Sequence, residues 1–146
     1  MNFLHRLIRP RSAPKLLEAE GQFAVENPSE EQVRAVVLGL QRGNTTFASL
    51  TDGAGNYMQV AGSRPWCVIE RRRLQPLKHE RAFQDTPNPK YMDGAKLLTG
   101  AGGIALKQDE WFLLKDAAEL FVAFLHNDAL PTRVRWRSMN ETMGLG

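Results

Sequence analysis

The chain has 146 residues, enough for one hydrophobic core but not two, since domains typically hold about 100–150 residues. Its 42% hydrophobic and 24% charged content excludes wholesale disorder, and no apolar run approaches the roughly 20 residues needed to span a bilayer. The single cysteine, Cys67, excludes an internal disulfide framework and an all-cysteine metal site, while a net charge of +3 is far below that of a protein living on DNA phosphates. The expectation is a single α+β domain over residues 1–146, in a reducing compartment such as a bacterial cytoplasm, with no membrane partner.

The first fifteen residues carry four basic side chains and no acid, a pattern superficially like an amphipathic transit peptide. Phe3, Leu4, Leu7 and Ile8 recur at helical spacing, and a short, loosely docked terminal helix or strand accounts for them without a targeting role. The clearest helix lies in "ENPSEEQVRAVVLGLQRGN", residues 26–44. Ser29 is its expected N-cap, Gln32 completes a capping box, Val33, Val36, Val37 and Leu40 form the buried stripe, and Gly43 supplies the left-handed stop.

From Thr45 the period changes to two. "TTFASLT" and "YMQVAG" flank the hairpin loop "DGAGN", and "PWCVIERRR" and "LKHERAF" follow after turns at Gly62–Ser63 and Gln75–Pro76. Four short strands joined this closely form an antiparallel meander. "QDTPNPKYMDG" reads as a longer exposed loop. "IALK" and "WFLLK" then suit a hairpin turning at Gln108–Asp109. A second helix is expected from Asp116, which together with Glu119 makes a capping-box pattern; its apolar face is Ala117, Leu120, Phe121, Phe124 and Leu125, and Pro131 blocks its continuation. "TRVRWRS" alternates Val134 and Trp136 with arginines, the pattern of a half-buried strand. The sum is an α+β domain: a twisted, mainly antiparallel sheet with two principal helices packed on one face.

No residue pattern names a reaction. "TGAGGIALK" has the glycines of an anion-binding nest but lacks both the Lys-Ser/Thr pair of a P-loop and the spacing of a dinucleotide fingerprint. His5, His79 and His126 stand on separate elements without a second ligand at metal spacing, so each reads as an ordinary surface histidine, and no metal or cofactor is expected. Cys67 between Trp66 and Val68 reads as a small buried hydrophobe rather than a thiolate nucleophile. The carboxylate pairs fall at helix starts and turns, where capping explains them.

The basic strands remain. Residues 64–83 hold seven basic side chains, counting His79. Strand alternation sends Trp66, Val68, Glu70 and Arg72 one way and Cys67, Ile69, Arg71 and Arg73 the other. Guanidinium groups bind carboxylates and phosphates bidentately, so such a row fits an acidic protein surface or a nucleic-acid backbone; equally, charges on exposed strands keep sheet edges from pairing with other chains. Single-strand readers interleave exposed rings with the basic residues. Here Trp66, Trp111, Trp136, Phe47 and Phe83 fall on apolar phases, and only Tyr57 is expected to be exposed, so nucleic acid ranks below protein as a partner.

Taken together, "FASLTDGAGNYMQVAG", "WCVIERR", "DAAELFVAFL" and the closing "RVRWRS" resemble small α+β immunity proteins of bacterial polymorphic toxin and contact-dependent competition systems. The likeness spans residues 45–137: a strand, a glycine turn, "Y-x-Q-x-x-G", a strand with a glutamate, a late helix with phenylalanines and a final strand bearing tryptophan. It implies a non-enzymatic, stoichiometric inhibitor that binds a cognate toxin domain in the cytoplasm. The contact surface expected from the basic cluster is Arg71, Arg72, Arg73 and Arg81, with Tyr57 and Gln59 as neighbours. The alternatives are a small ligand-binding or enzymatic α+β domain with an anion site on the basic face, or a weak nucleic-acid binder.

Overall fold

A computed structural model describes residues 13–40 and 45–145. Strand β1 (Leu16–Ala19) and the two-residue β2 (Val25–Glu26) lead into helix α1 (Glu30–Leu38). The meander follows as β3 (Phe47–Thr51), β4 (Tyr57–Ser63), β5 (Trp66–Leu74) and β6 (Leu77–Phe83). A hairpin of β7 (Ala95–Thr99) and β8 (Gly102–Leu106) comes next, then a 3₁₀ turn (Gln108–Glu110), β9 (Phe112–Leu113), helix α2 (Leu114–Leu125) and β10 (Arg135–Ser138). The main sheet runs β10-β6-β5-β4-β3-β1-β2, every pair antiparallel, with β9 added beside β5. The chain is thus an α+β fold built on an antiparallel sheet. Among the described residues no helix is long and apolar enough to cross a membrane.

Period-two patterning divides the sheet cleanly. Leu17, Leu50, Met58, Val60, Ile69, Cys67 and Ala82 point to one face, where they meet Val33 and Val37 of α1 and Ala117, Leu120 and Phe121 of α2 in a continuous core. Ser29 caps α1 as expected, its hydroxyl accepting from Gln32 N–H at 3.1 Å while Gln32 Oε1 accepts from Ser29 N–H at 2.9 Å. In the first hairpin Asp52 Oδ1 accepts from the amides of Ala54 and Asn56, and Gly55 takes φ +90°. Gly62 permits a close crossing: a Cβ there would meet the Trp66 carbonyl oxygen at 2.4 Å.

Some expectations lie outside the described residues, and others are corrected. Gly43 lies outside the described residues, as do Phe3, Leu4, Leu7 and Ile8; α1 stops at Leu38 because the chain turns at Gly39 to drive Leu40 fully into the core. The turn after β4 falls at Arg64–Pro65 rather than Gly62–Ser63. Residues 104–107 do not pair with 111–115. "TGAG" makes the turn instead, so that Leu97 and Leu106 of β7 and β8 face Val68 and Trp111 in a second apolar cluster. Helix α2 starts three residues earlier than its Asp116 cap implied: the N-cap is Leu113 and Asp116 is at the third helical position, accepting from Leu113 N–H at 3.1 Å. It ends at Leu125, where Asn127 takes φ +55°, well before Pro131. The loop 84–94 is mostly exposed, as expected, and is anchored at two points: Asn88 is buried and Tyr91 stacks on Trp111 at a centroid distance of 4.0 Å. Phe47, expected in the core, is 45% exposed.

Truncation of the best-buried aromatic of α2, Phe121→Ala, is expected to cost about 3–5 kcal/mol in urea denaturation, whereas Ser29→Ala should cost about 1 kcal/mol. Equal losses would show that the helices are not anchored through this core.

Candidate functional site: a polar ladder on the second face

The face opposite the helices is only partly covered. The β7–β8 hairpin and Trp111 close over Val68 and Ala61. Beyond them, antiparallel register places Ser49, Gln59, Glu70, Arg81 and Arg137 side by side across five strands, with Thr51, Tyr57, Arg72 and His79 as the next row.

Glu70 is the hub. Its Oε1 accepts from His79 Nε2 at 2.6 Å and from Gln59 Nε2 at 3.1 Å, and its Oε2 accepts from Arg81 Nε at 2.8 Å. His79 is fully buried, which corrects its assignment to the surface. Its Nδ1 accepts from Arg72 Nε at 3.2 Å, so the ring proton belongs on Nε2, facing Glu70. Burial alone would push the Glu70 carboxyl up, but the His79 hydrogen bond and the Arg81 charge together outweigh it and hold Glu70 below the usual carboxylate range.

The ladder continues with alternating charge. Arg81 reaches Glu110 at 3.4 Å and the Ala105 carbonyl at 3.2 Å. Buried Glu110 caps the 3₁₀ turn by accepting from Lys107 N–H at 2.7 Å, and accepts from Arg137 at 2.8 Å. Arg137 in turn forks onto both oxygens of Asp109, at 3.1 and 3.0 Å, which raises its pKa, and lies 4.3 Å over the Phe83 ring. An open groove of about 520 Å³ runs past Arg81, Glu110, Arg137, Lys107 and Met139.

The expected contact residues therefore separate. Gln59, Arg72, Arg81 and Tyr57 gather around Glu70 and His79 on this face, Tyr57 half-buried with its ring 6.2 Å from His79. Arg71 and Arg73 lie on the helix side of the sheet. Arg71 donates to Glu80 at 3.0 Å and rests 4.2 Å from the Trp136 ring, and Arg73 donates to the same Glu80 oxygen at 3.1 Å. Lys78 also faces Glu80, at 3.5 Å. Desolvation raises the Glu80 pKa, but Arg71, Arg73 and Lys78 overcome it and leave the carboxyl lowered.

Glu70, His79, Glu110, Asp109 and Arg137 were missing from the sequence-derived set. One signal was available for the first two. The tight link at Gln75–Pro76 pairs Leu74 with Leu77, and counting outward from it sets Arg72 against His79, Arg71 against Glu80 and Glu70 against Arg81. Contacts to Asp109 and Glu110 depend on how the segment after β8 returns to the sheet, which no local pattern encodes.

Other candidates resolve locally. Cys67 is fully buried, and burial, with a contribution from Asp116, pushes its thiol far up, out of reach of thiolate chemistry at neutral pH. In "TGAGG" the Gly100 amide donates to Thr46 Oγ1 at 2.8 Å, and Thr46 is itself held by Glu20. His126 is exposed and faces Glu30 at 3.1 Å, and His5 lies outside the described residues. Among the described residues no three of His, Cys, Asp and Glu group in a way that could hold a metal ion. Comparison with models of protein families, with curated proteins and with solved structures finds no match for the chain.

Glu70→Ala leaves buried His79 Nε2 without its acceptor and takes from Arg81 one of its two carboxylates, and is expected to cost about 3–5 kcal/mol in urea denaturation. Unfolded glutamates take up protons near pH 4.5, whereas folded Glu70 and Glu80 resist until lower pH. Stability present above about pH 5 is therefore lost as the pH falls through the folded values. Glu80→Gln should flatten that loss in denaturation curves recorded from about pH 7 to about pH 3, and an unchanged slope would refute the coupling.

Proposed function

We propose that this chain is a non-enzymatic protein-binding module, an immunity protein that binds a cognate bacterial toxin domain and inhibits it stoichiometrically in the cytoplasm. The observation that carries this reading is the state of the polar ladder. Both ring nitrogens of His79 and both oxygens of Glu70 are committed to partners within the chain. A general base needs a lone pair facing its substrate, and a nucleophile needs such a base beside it. The ladder instead locks side chains across β4, β5 and β6 into one geometry, as a preorganised binding surface requires.

The resemblance to immunity proteins supports the same reading through its own residues. Gln59 of "Y-x-Q-x-x-G" and the glutamate of the following strand, Glu70, are hydrogen-bonded neighbours, and Trp136 of the closing strand covers Arg71. Binding of this kind relies on electrostatic steering with a few rigid anchors at the centre of the contact.

The test is capture of the tagged chain from its native host and identification of what co-purifies at a one-to-one ratio. The expected result is a single protein whose expression alone arrests growth and whose toxicity this chain relieves; a partner whose activity is untouched, or release of a small-molecule product by the chain itself, would overturn the reading. With that partner in hand, Arg73→Glu should slow association by severalfold to about tenfold at low salt, with the effect fading as ionic strength rises. Stopped-flow measurement checks both the slowing and its salt dependence.

A further inference from the structure

The far end of the β5–β6 hairpin combines features the ladder does not use. Leu74 and Leu77 lie opposite each other on the ladder's face and remain 42% and 44% exposed. Met143, from the segment after β10, is 45% exposed and its sulfur accepts from the Arg72 guanidinium at 3.9 Å. Three large apolar side chains left at the surface around one arginine are unusual away from an interface.

The charge around them is unbalanced. Arg72 contacts His79 Nδ1, the Met143 sulfur and the Tyr57 ring, whose centroid is 5.8 Å away, and it forms no ion pair among the described residues. On the other side of the same hairpin end Arg71, Arg73 and Lys78 share the one carboxylate of Glu80. The tip is therefore a local excess of positive charge. A guanidinium offers five N–H donors, and the contacts of Arg72 engage two of them, which leaves donors of its planar fork available to a carboxylate. His79, itself fixed by Glu70, sets the Nε end of that fork, so little side-chain freedom remains to be lost on binding. Nucleic acid is the poorer match, because its bases stack on exposed rings and Tyr57 is half-buried.

We propose that this hairpin end is the docking surface for an acidic protein segment, with Arg72 as the carboxylate anchor and Leu74, Leu77 and Met143 as its apolar seat. The inference rests on the binding-module reading and names the chemistry of the partner. It also moves the contact away from Arg71, Arg81 and Gln59, which the fold uses internally.

The experiment is an NMR titration of the full chain, methyl-labelled at Leu and Met, with a short peptide of alternating Asp and Leu. Saturable shifts at Leu74, Leu77 and Met143 are expected, with the apparent affinity falling about tenfold or more in both Arg72→Glu and the milder Arg72→Gln. Arg135→Glu, at an exposed pair with Asp85 on the sheet edge, should bind as the wild type does. Silent methyls, equal shifts from the same peptide with Asn in place of Asp or from an oligouridylate, or undiminished binding by Arg72→Gln would each overturn the proposal. If no toxin is captured yet the titration succeeds, the docking surface stands and the inhibitor reading falls. If a toxin is captured and Arg72→Gln leaves its affinity unchanged, the docking surface falls and the inhibitor reading stands.

Discussion

The carboxylate of Glu70 ties together three adjacent strands, β4, β5 and β6. It receives Gln59 from β4 and both His79 and Arg81 from β6, at distances from 2.6 to 3.1 Å. A buried carboxylate with only one of these partners would destabilise the sheet, because desolvation of a charge costs several kcal/mol unless its lone pairs are filled. With all three in place it works the other way and specifies register. Slipping β6 by one residue would turn His79 and Arg81 to the helix side and bring Glu80 and Ala82 round to face Glu70. The placement of Arg72 against His79 and of Arg81 against Glu70 follows from that one alignment.

The same logic explains why a chain with so many clustered basic residues is not a broadly cationic surface. Arg81 and Arg137 alternate with Glu70, Glu110 and Asp109 along the ladder, and Arg71 is folded under Trp136 against Glu80. Paired in this way the guanidinium groups act as cross-strand ties and stack on the Phe83 and Trp136 rings. A local excess of positive charge remains at the hairpin tip, where Arg71, Arg73 and Lys78 share Glu80 and Arg72 forms no ion pair among the described residues. Charge density read along the sequence overstates charge available to a partner, because strands bring acids from elsewhere in the chain alongside.

The two faces also divide labour. The helix face is a continuous apolar cluster that supplies most of the burial, and the second face holds a smaller aromatic cluster of Trp66, Tyr91 and Trp111 beneath the β7–β8 hairpin. Between that hairpin and the C-terminal segment the ladder stays accessible along one groove. A sheet that carries a satisfied polar network next to exposed apolar side chains is what the proposed binding role requires.

Local chemistry was sufficient for much of the fold. Ser29 and Gln32 announced α1, Asp52 and Gly55 the first hairpin, and period-two alternation both the meander and the split of Arg71 from Arg72, since each depends only on neighbours a few residues away. Where two local signals competed, sequence misled. "TGAG" and "KQDE" both suit a turn, and the pairing of β7 with β8 won because it alone lets Leu97 and Leu106 meet Val68 and Trp111. The burial of His79, the reach of Asp109 and Glu110 to Arg137, and the exposure left at Leu74, Leu77 and Met143 belong to the tertiary structure alone. The physical reason is that these contacts join segments up to about seventy residues apart, and solvation of a side chain is set by whatever packs over it rather than by its neighbours along the chain.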